Sequence, residues 1–373
     1  MAINKPADVT TSNLVVGRKE SVTEELLLLN PVQIPLISML GFGAPATNTE
    51  HIWYEDEMFG TKTPAVAEAD AAAEELEVED ASIFREDHIV MVNEEYLKVK
   101  KVDKDVNKIE VVRGYAGTEA DVIAEGDVLD IQFLEGEEGM DAVDARYKPR
   151  KRVSNATQIF TDSINISGTQ QAVANHGIED LYTHEQFKVQ TQLALQLEKA
   201  LINGVYADDG TLRRMRGLRN FIKTNVTEET GELTYDKIVD ALQSISDAGG
   251  FADGGNAGYE IVVGTRLKRA ISKFGQDYVR TTEEDDTRGI KIDYLATEFG
   301  EFPVTINDNL KDDEVLIIDK NRVHIRPLQG REFFHEFLGK KGDYLKGMIV
   351  GEYTLEVQQE KAHALLKGAK AEA

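Results

Sequence analysis

Histidine is the residue type in this chain best suited to metal binding or acid–base chemistry, but the histidine spacing supports neither. The seven histidines stand at positions 51, 88, 176, 184, 324, 335 and 363. No two of them form the HxH or HExxH pairs that hold a metal ion. His335 is followed by Glu336, but the second histidine of a zinc-protease helix is missing. A structural or surface histidine is the favoured interpretation of each.

Three other patterns resemble reactive loops without completing them. DKDVNKIEVVRG, starting at Asp103, begins like a calcium loop, but Lys108 stands where that loop needs glycine and Gly114 where it needs glutamate. The glycine-rich residues 249–258 lack the lysine and the following helix of a phosphate loop. No GxSxG elbow occurs, and EEDD at 283–286 is typical of a solvated loop. The sequence therefore predicts no catalytic residue, no cofactor site and no metal site.

Two basic clusters remain as candidates for a functional surface. RYKPRKR contributes Arg146, Lys148, Arg150, Lys151 and Arg152, and RRMRGLR contributes Arg213, Arg214, Arg216 and Arg219. A net charge of -25 argues against broad affinity for nucleic acid, and the second cluster lacks interleaved aromatic residues for base stacking. Guanidinium groups pair well with carboxylates. We therefore predict that both clusters contact another protein subunit, with DNA binding by RYKPRKR as an alternative.

The clusters belong to a large acidic globular chain. It has 373 residues, 41% of them hydrophobic, with a mean hydropathy of -0.35, which is enough apolar material for two or three cores. The absence of cysteine excludes disulfides and thiolate metal sites. The first residues lack the apolar core of a secretory signal. Pro31 and Pro35 interrupt the longest apolar stretch, so we expect synthesis in the cytoplasm and no membrane contact.

The acidic residues are concentrated in one segment with β character. Residues 66–145 contain 24 acidic and seven basic side chains. Short runs rich in Val, Ile and Tyr alternate there with turn signals, namely LEVED, HIVMV, EYLKVK, KIEVVRG and GDVLDIQF. DKDVN has the composition of a hairpin turn between two of these strands. The pattern predicts a small β-barrel or sandwich inserted into the chain.

The remaining elements alternate between strands and helices. ATQIFTDSINIS is predicted as extended, and residues 177–204 as one long helix with a buried face. That face would comprise Phe187, Leu193, Ala194, Leu197, Ala200 and Leu201, with Gly204 as the terminating glycine. From residue 233, two helices with Thr234 and Thr265 as caps alternate with the strands EIVVG, FPVTIN and DEVLIID. The last residues predict two returning strands.

Seven segments in this order carry a resemblance to a known family. They are LLLLNPVQIPLISMLG (26–41), HIWYED (51–56), VVRGYAGT (111–118), ISGTQQAV (166–173), LEKALING (197–204), TLRRMRGL (211–218) and GMIVGEYTLEVQQEKAHALLKG (347–368). The chain resembles the major capsid proteins of tailed bacteriophages, which have the Hong Kong 97 fold, and within them the group of phage SU-ten. The resemblance implies an α+β capsid fold and a non-catalytic protein that self-assembles into the icosahedral or prolate head around the phage DNA.

The resemblance also implies a division of the chain. Residues 1–50 would form an N-terminal arm, and residues 51–166 an E-loop with the β insertion at about 66–140. A peripheral domain would comprise 167–232 and 330–373 with a spine helix at about 177–204, and an axial domain 233–329. The implied partners are further copies in hexameric and pentameric capsomers, a separate scaffolding protein, portal and decoration proteins, and DNA bound without sequence preference. The virion capsid, assembled in the bacterial cytoplasm, is the implied location.

Some relatives cross-link a lysine to an asparagine late in the peripheral domain. Residues 331–373 contain no asparagine, so we predict shells held together by non-covalent contacts. Two other interpretations of the sequence stay open. One is an encapsulin-type compartment shell, which shares the fold. The other is an acidic multi-domain enzyme or carbohydrate-binding protein that uses the β insertion.

Overall fold

The computed structural model describes residues 34–136, 138–139, 141–142, 145–173, 180–251, 258–274, 279–280 and 294–370. The chain folds into two compact units. One consists of residues 54–151, and the other of the segments that precede and follow them.

The first described segment belongs to the larger unit. It contains helix α1 (Pro35–Leu40), which has proline in its first turn, where the missing N–H is not needed. The chain then runs beside residues 325–328 through the parallel bridges Phe42 to Ile325 and Ala46 to Leu328. Strand β1 (Glu50–Glu55) follows.

The smaller unit is a six-stranded antiparallel barrel. Its strands are β2 (Lys62–Pro64), β3 (Glu75–Glu77), β4 (His88–Val92), β5 (Glu95–Asp103), β6 (Lys108–Val112) and β7 (Val128–Leu134). The strand order is β2-β7-β4-β5-β6-β3, and the bridge between Ala65 and Val78 joins the two end strands. The alternating runs place their apolar residues inside, with Val90, Leu97 and Val111 fully buried. The predicted all-β insertion is therefore a closed barrel, and DKDVN forms the β5–β6 turn.

After the barrel the chain returns to the larger unit through extended segments and a long helix. The elements are β8 (Lys151–Ala156), which pairs with β1, β9 (Gln158–Ser167), α2 (Gly168–Ala172), α3 (Leu181–Asn203), β10 (Ala207–Asp208), β11 (Arg213–Arg214), α4 (Leu218–Phe221) and β12 (Val226–Glu232). Helix α3 has 23 residues, so it is about 34 Å long. The side chain of Asp180 caps its N-terminus; part of the predicted helix, residues 177–179, lies outside the described residues.

Two details of α3 differ from the sequence prediction. Val189, Leu193, Leu197 and Leu201 form the buried stripe, whereas Phe187 is 58% exposed. Phe187 precedes Val189 by two positions, which corresponds to a rotation of about 200° around the helix axis. Its side chain therefore points away from the buried stripe, and its assignment to the buried face was wrong. Gly204 does end the helix, but with a φ of -53° rather than a left-handed conformation. The glycine is needed because a Cβ there would lie 2.5 Å from the carbonyl oxygen of Ala200.

The remaining elements build two sheets. They are α5 (Tyr235–Asp247), β13 (Tyr259–Val263), α6 (Thr265–Ile271), β14 (Val279–Arg280), β15 (Tyr294–Thr297), β16 (Gly300–Ile306), β17 (Glu314–Asp319), β18 (Val323–Pro327), β19 (Phe334–Lys341), β20 (Tyr344–Val357) and β21 (Ala364–Lys370). A seven-stranded sheet has the order β12-β21-β17-β13-β16-β15-β14, and in a second sheet β20 pairs with β9, β18 and β19.

The predicted helix caps in this part are only partly right. Thr234 occupies the N-cap of α5 but makes no side-chain capping bond. Thr265 is the first residue of α6 rather than its cap, and both its N–H and its hydroxyl donate to the carboxylate of Asp308. Asp308, which is 43 residues away in sequence, therefore has the helix-capping role that was predicted for Thr265.

Candidate intersubunit surfaces

Arg146 and Lys148 of the first basic cluster contact other residues of the barrel unit. The guanidinium group of Arg146 lies 4.2 Å from the ring centre of Phe59 and donates to the carbonyl oxygen of Ile83 at 2.6 Å. The ammonium group of Lys148 is 3.2 Å from a carboxylate oxygen of Glu57. Both side chains are half-buried, and the partners named here belong to the same chain.

The other three residues of this cluster are exposed. The Nε of Arg150 lies 3.3 Å from a carboxylate oxygen of Asp56, and the guanidinium group of Arg152 lies 2.9 Å from one of Glu50. Lys151 is the first residue of β8. Exposed ion pairs contribute only about 0–1 kcal/mol. The arginines stay accessible to a neighbouring molecule, and the predicted intersubunit contact stays a prediction.

Arg213 of the second cluster belongs to a buried network. Glu352 of β20 accepts hydrogen bonds from the Arg213 guanidinium at 2.8 Å, from the Thr157 hydroxyl at 2.6 Å and from Arg331 at 2.9 Å. Burial alone would raise the pKa of Glu352, but the hydrogen bonds from Thr157 and Arg213 lower it. Arg213 therefore stabilises a buried charge, and removing one partner of such a pair typically destabilises a protein by about 3–5 kcal/mol.

The other arginines of this cluster differ in how far they are exposed and in what they contact. Arg219 places two guanidinium nitrogens 2.8 and 2.7 Å from one carboxylate oxygen of the buried Glu314. Arg216 lies 5.3 Å from the ring centre of Tyr206. Arg214 is exposed. The intersubunit role predicted for this cluster stays a prediction, and Arg214 is the member whose exposure suits it best.

A second buried glutamate on β20 was missed by the sequence reasoning. Glu356 accepts hydrogen bonds from His51 at 2.7 Å, from Arg326 and from Gln358. Burial would raise its pKa, but these hydrogen bonds lower the pKa to about 2. Glu352 and Glu356 are four residues apart, on the same face of a strand otherwise rich in apolar residues. Two glutamates at this spacing within an apolar strand are the sequence pattern from which both buried carboxylates could have been predicted.

A third missed glutamate joins three segments of the larger unit. Glu198 of α3 is fully buried. One of its carboxylate oxygens accepts the N–H of Leu36 at 2.8 Å and the amide of Asn307 at 2.7 Å, and the other accepts the N–H of Ile37 at 2.9 Å. Burial raises the pKa of Glu198, and the three hydrogen bonds oppose this effect. Glu198 thereby caps α1 and connects it to α3.

The VVRGYAGT segment of the barrel is also built around an ion pair. Arg113 and Glu95 are both nearly buried and form two parallel hydrogen bonds of 2.9 and 2.8 Å. Arg113 also donates to the carbonyl oxygen of Asp70 at 2.7 Å. Gly114 has a φ of +58°, and a Cβ there would lie 2.8 Å from the carbonyl oxygen of Thr118. Arginine and glycine are therefore required here by the barrel itself.

Within the part of the chain that the structure describes, no cluster of three or more His, Asp or Glu side chains is arranged to bind a metal ion. None of the helices in that part is long and apolar enough to cross a membrane.

Comparison with known proteins places these features in a family. The sequence model of the SU10 major capsid protein family matches residues 6–370. A search of curated proteins gave no match.

Two solved structures have the same fold over almost the whole chain. The capsid asymmetric unit of cyanophage A-1(L) is 10% identical, with a TM-score of 0.55, over 96% of this chain and 98% of that chain. A chain from Mycobacterium phage Adephagia is 9% identical, with a TM-score of 0.53, over 97% and 98%. The fold is thus the Hong Kong 97-like capsid fold, as predicted. The chain belongs to the SU10 major capsid protein family, and its role is that of a structural protein of the phage capsid shell.

Proposed function

We propose that copies of this chain assemble through hexameric and pentameric capsomers into a closed head, icosahedral or prolate, that encloses the phage DNA. The observation that carries the proposal is the family match over residues 6–370, supported by a capsid fold over nearly the full chain. The long α3, the arm and the inserted barrel suit contacts between subunits better than a catalytic cleft. The proposed role is non-catalytic and needs no cofactor.

The proposal assigns a task to each part of the chain. Residues 1–50 act as the arm and 51–166 as the E-loop, with the insertion at 66–140. Residues 167–232 and 330–373 form the peripheral domain and 233–329 the axial domain. We propose a separate scaffolding protein, portal and decoration proteins as partners, contact with packaged DNA without sequence preference, and assembly in the host cytoplasm.

The experiment is expression of the chain alone and together with the products of neighbouring genes. We expect sedimentation as capsomers or shells and closed particles in cryo-electron micrographs. A protein that stays monomeric under both conditions would overturn the proposal. The same particles should run as monomers on a denaturing gel, because we propose non-covalent stabilisation; a ladder above the monomer would contradict this part.

The intersubunit role of RYKPRKR can be separated from its intrachain pairing. Arg150→Gln and Asp56→Asn both remove the ion pair between these residues, but only the first removes a guanidinium group that could reach another subunit. We expect Arg150→Gln to reduce shell yield and Asp56→Asn to leave it unchanged. Equal yields from the two variants would show that Arg150 acts only within its own chain.

A further inference from the structure

The hairpin formed by β10 and β11 contains two adjacent residues that can react with each other, Asp209 and Gly210. An aspartate followed by glycine can cyclise, because glycine has no side chain to shield its backbone nitrogen. Residues 208–212 are exposed. The Asp209 carboxylate makes no hydrogen bond or ion pair with the residues that the structure describes, so it is free to approach the backbone nitrogen that follows it.

The carboxylate of Asp208 gives this pair a proton acceptor. Its Oδ1 accepts the N–H of Gly210 at 3.1 Å, and this nitrogen must lose its proton when it attacks. Two backbone hydrogen bonds fix the turn: the N–H of Asp209 donates to the carbonyl oxygen of Leu212 at 3.0 Å, and the N–H of Thr211 donates to that of Asp209 at 3.1 Å. The turn therefore holds the proton acceptor beside the nucleophile.

We propose that Asp209 isomerises spontaneously to isoaspartate, with Asp208 as the general base. The Gly210 nitrogen attacks Cγ of the protonated Asp209 carboxyl group, so an N–Cγ bond forms and a Cγ–O bond breaks. The N–H proton passes through the Asp208 carboxylate to the departing hydroxyl group, which leaves as water. Water then opens the cyclic imide, and attack at the backbone carbonyl carbon yields isoaspartate. The reaction needs only the folded chain, so its test does not depend on shell assembly.

The structure reverses the order of reactivity that the sequence alone suggests. Asn203 and Gly204 form an asparagine–glycine pair, and an uncharged amide accepts the attacking nitrogen more readily than an ionised carboxylate does. In the folded chain, however, the N–H of Gly204 donates to the carbonyl oxygen of Ala200 at 2.8 Å. The side-chain amide of Asn203 donates to the carbonyl oxygen of Asn309 at 3.1 Å. Cyclisation would break both hydrogen bonds, so we expect Asn203 to be protected.

Isomerisation of Asp209 would disturb a buried ion pair close to it. Isoaspartate lengthens the main chain by one methylene group, so the hairpin could not keep the pairing of Asp208 with Arg213. Arg213 donates from one guanidinium nitrogen to the carbonyl oxygen of Gly210 at 3.2 Å and from another to Glu352 at 2.8 Å. We therefore expect the modification to weaken the contact of Arg213 with the buried Glu352 carboxylate.

One tryptic peptide contains both asparagine and aspartate sites, which makes the test direct. Cleavage after Lys199 and Arg213 gives residues 200–213, ALINGVYADDGTLR. Deamidation of Asn203 raises the mass of this peptide, whereas isomerisation of Asp209 leaves the mass unchanged but alters the elution and the electron-transfer fragments. The purified full-length chain and a synthetic peptide of this sequence are incubated at neutral pH, and the chain is digested at intervals.

The expected result is an opposite order of modification in the two samples. In the folded chain, isoaspartate at Asp209 should accumulate at least about ten-fold faster than any product at Asn203, because breaking the hydrogen bonds of Asn203 and Gly204 raises the barrier there. In the free peptide Asn203 should react first. A folded chain in which Asn203 reacts first, or in which Asp209 stays unmodified, would overturn the proposal.

Two variants separate the roles of the aspartates. Asp208→Asn keeps an oxygen that can accept the Gly210 N–H but removes the base, so isoaspartate formation in the folded chain should slow at least about five-fold; an unchanged rate would overturn the role of Asp208. Asp209→Glu is the control, since its longer side chain cannot close the five-membered ring. After long incubation the urea midpoint of the unchanged protein should fall while that of Asp209→Glu stays constant. Equal midpoints despite isoaspartate at Asp209 would refute the effect on Arg213 and Glu352.

Discussion

Glu198 gives a direct test of how α1 is attached to α3, because its buried carboxylate accepts hydrogen bonds from three donors in two other segments. Glu198→Leu leaves the N–H groups of Leu36 and Ile37 and the amide of Asn307 without that acceptor. An unsatisfied buried donor costs about 1–3 kcal/mol. Part of this loss is offset because leucine avoids the burial of a charge. We therefore expect the free energy of unfolding to fall by about 2–4 kcal/mol.

Glu198→Gln should be milder, for a geometric reason. Leu36 and Asn307 share one carboxylate oxygen, which the glutamine oxygen can replace, whereas Ile37 donates to the other. The glutamine NH₂ would then face the N–H of Ile37, so we expect a loss of about 1–2 kcal/mol.

The assay is urea unfolding of unassembled subunits, followed by the fluorescence of Trp53. Trp53 is the one tryptophan of the chain and lies in the same core as Leu36. Glu185→Gln is the control, since Glu185 is on the same helix but partly exposed and paired with Lys188. Hydrogen exchange of the Leu36 and Ile37 amides adds a local measurement. A Glu198→Leu variant within about 1 kcal/mol of the unchanged protein, with both amides still protected, would refute the reasoning.

Three further predictions concern other buried polar groups. Burial lowers the pKa of His363 to about 4, from about 6.5 in the unfolded chain. Because the unfolded chain binds more protons between these values, the free energy of unfolding is at its full value above pH 6.5 and decreases towards pH 4 by on the order of 3 kcal/mol. Urea titrations should show a flatter pH dependence of the free energy of unfolding for His363→Gln. The pKa of Glu356, about 2, gives a separate loss between about pH 4.5 and 2, which Arg326→Ala should weaken in the same titration. The Arg113→Lys variant cannot keep the two parallel hydrogen bonds to Glu95, so it should destabilise the barrel by about 2–3 kcal/mol. Hydrogen exchange of the Val99 and Val111 amides measures this loss. The control is Lys108→Ala, which removes an exposed ion pair with Glu77 and should leave that exchange unchanged.

Local patterns were sufficient to predict about half of the strands and helices that the structure describes. The alternating runs of the barrel overlap β3 to β7, and the long helix predicted at residues 177–204 is found as α3, Leu181–Asn203. These assignments succeed because side-chain periodicity depends on the backbone alone. The assignment of Phe187 to the buried face was wrong because its spacing of seven residues from Ala194 also fits one face of a helix.

The partners of charged residues could not be obtained in this way. Arg213 and Glu352 are 139 residues apart, and Leu36 and Glu198 are 162 apart. No local signal relates such positions, so the basic clusters were visible in the sequence while their carboxylates were not. What the sequence does contain is the placement of glutamates within apolar runs, as in GEYTLEV and LEKALING, and this feature is a useful warning of a buried ion pair.

Closure of the barrel has a consequence for a protein that must be made in many copies. An open sheet presents unpaired N–H and C=O groups at its edges, and these can pair with the same edge of another molecule. In the barrel the bridge from Ala65 to Val78 joins the two end strands. Newly made chains that accumulate before assembly therefore lack an edge at this site from which strands could add to one another in the wrong register. We therefore expect closure of the barrel to reduce edge-to-edge aggregation of subunits before they assemble.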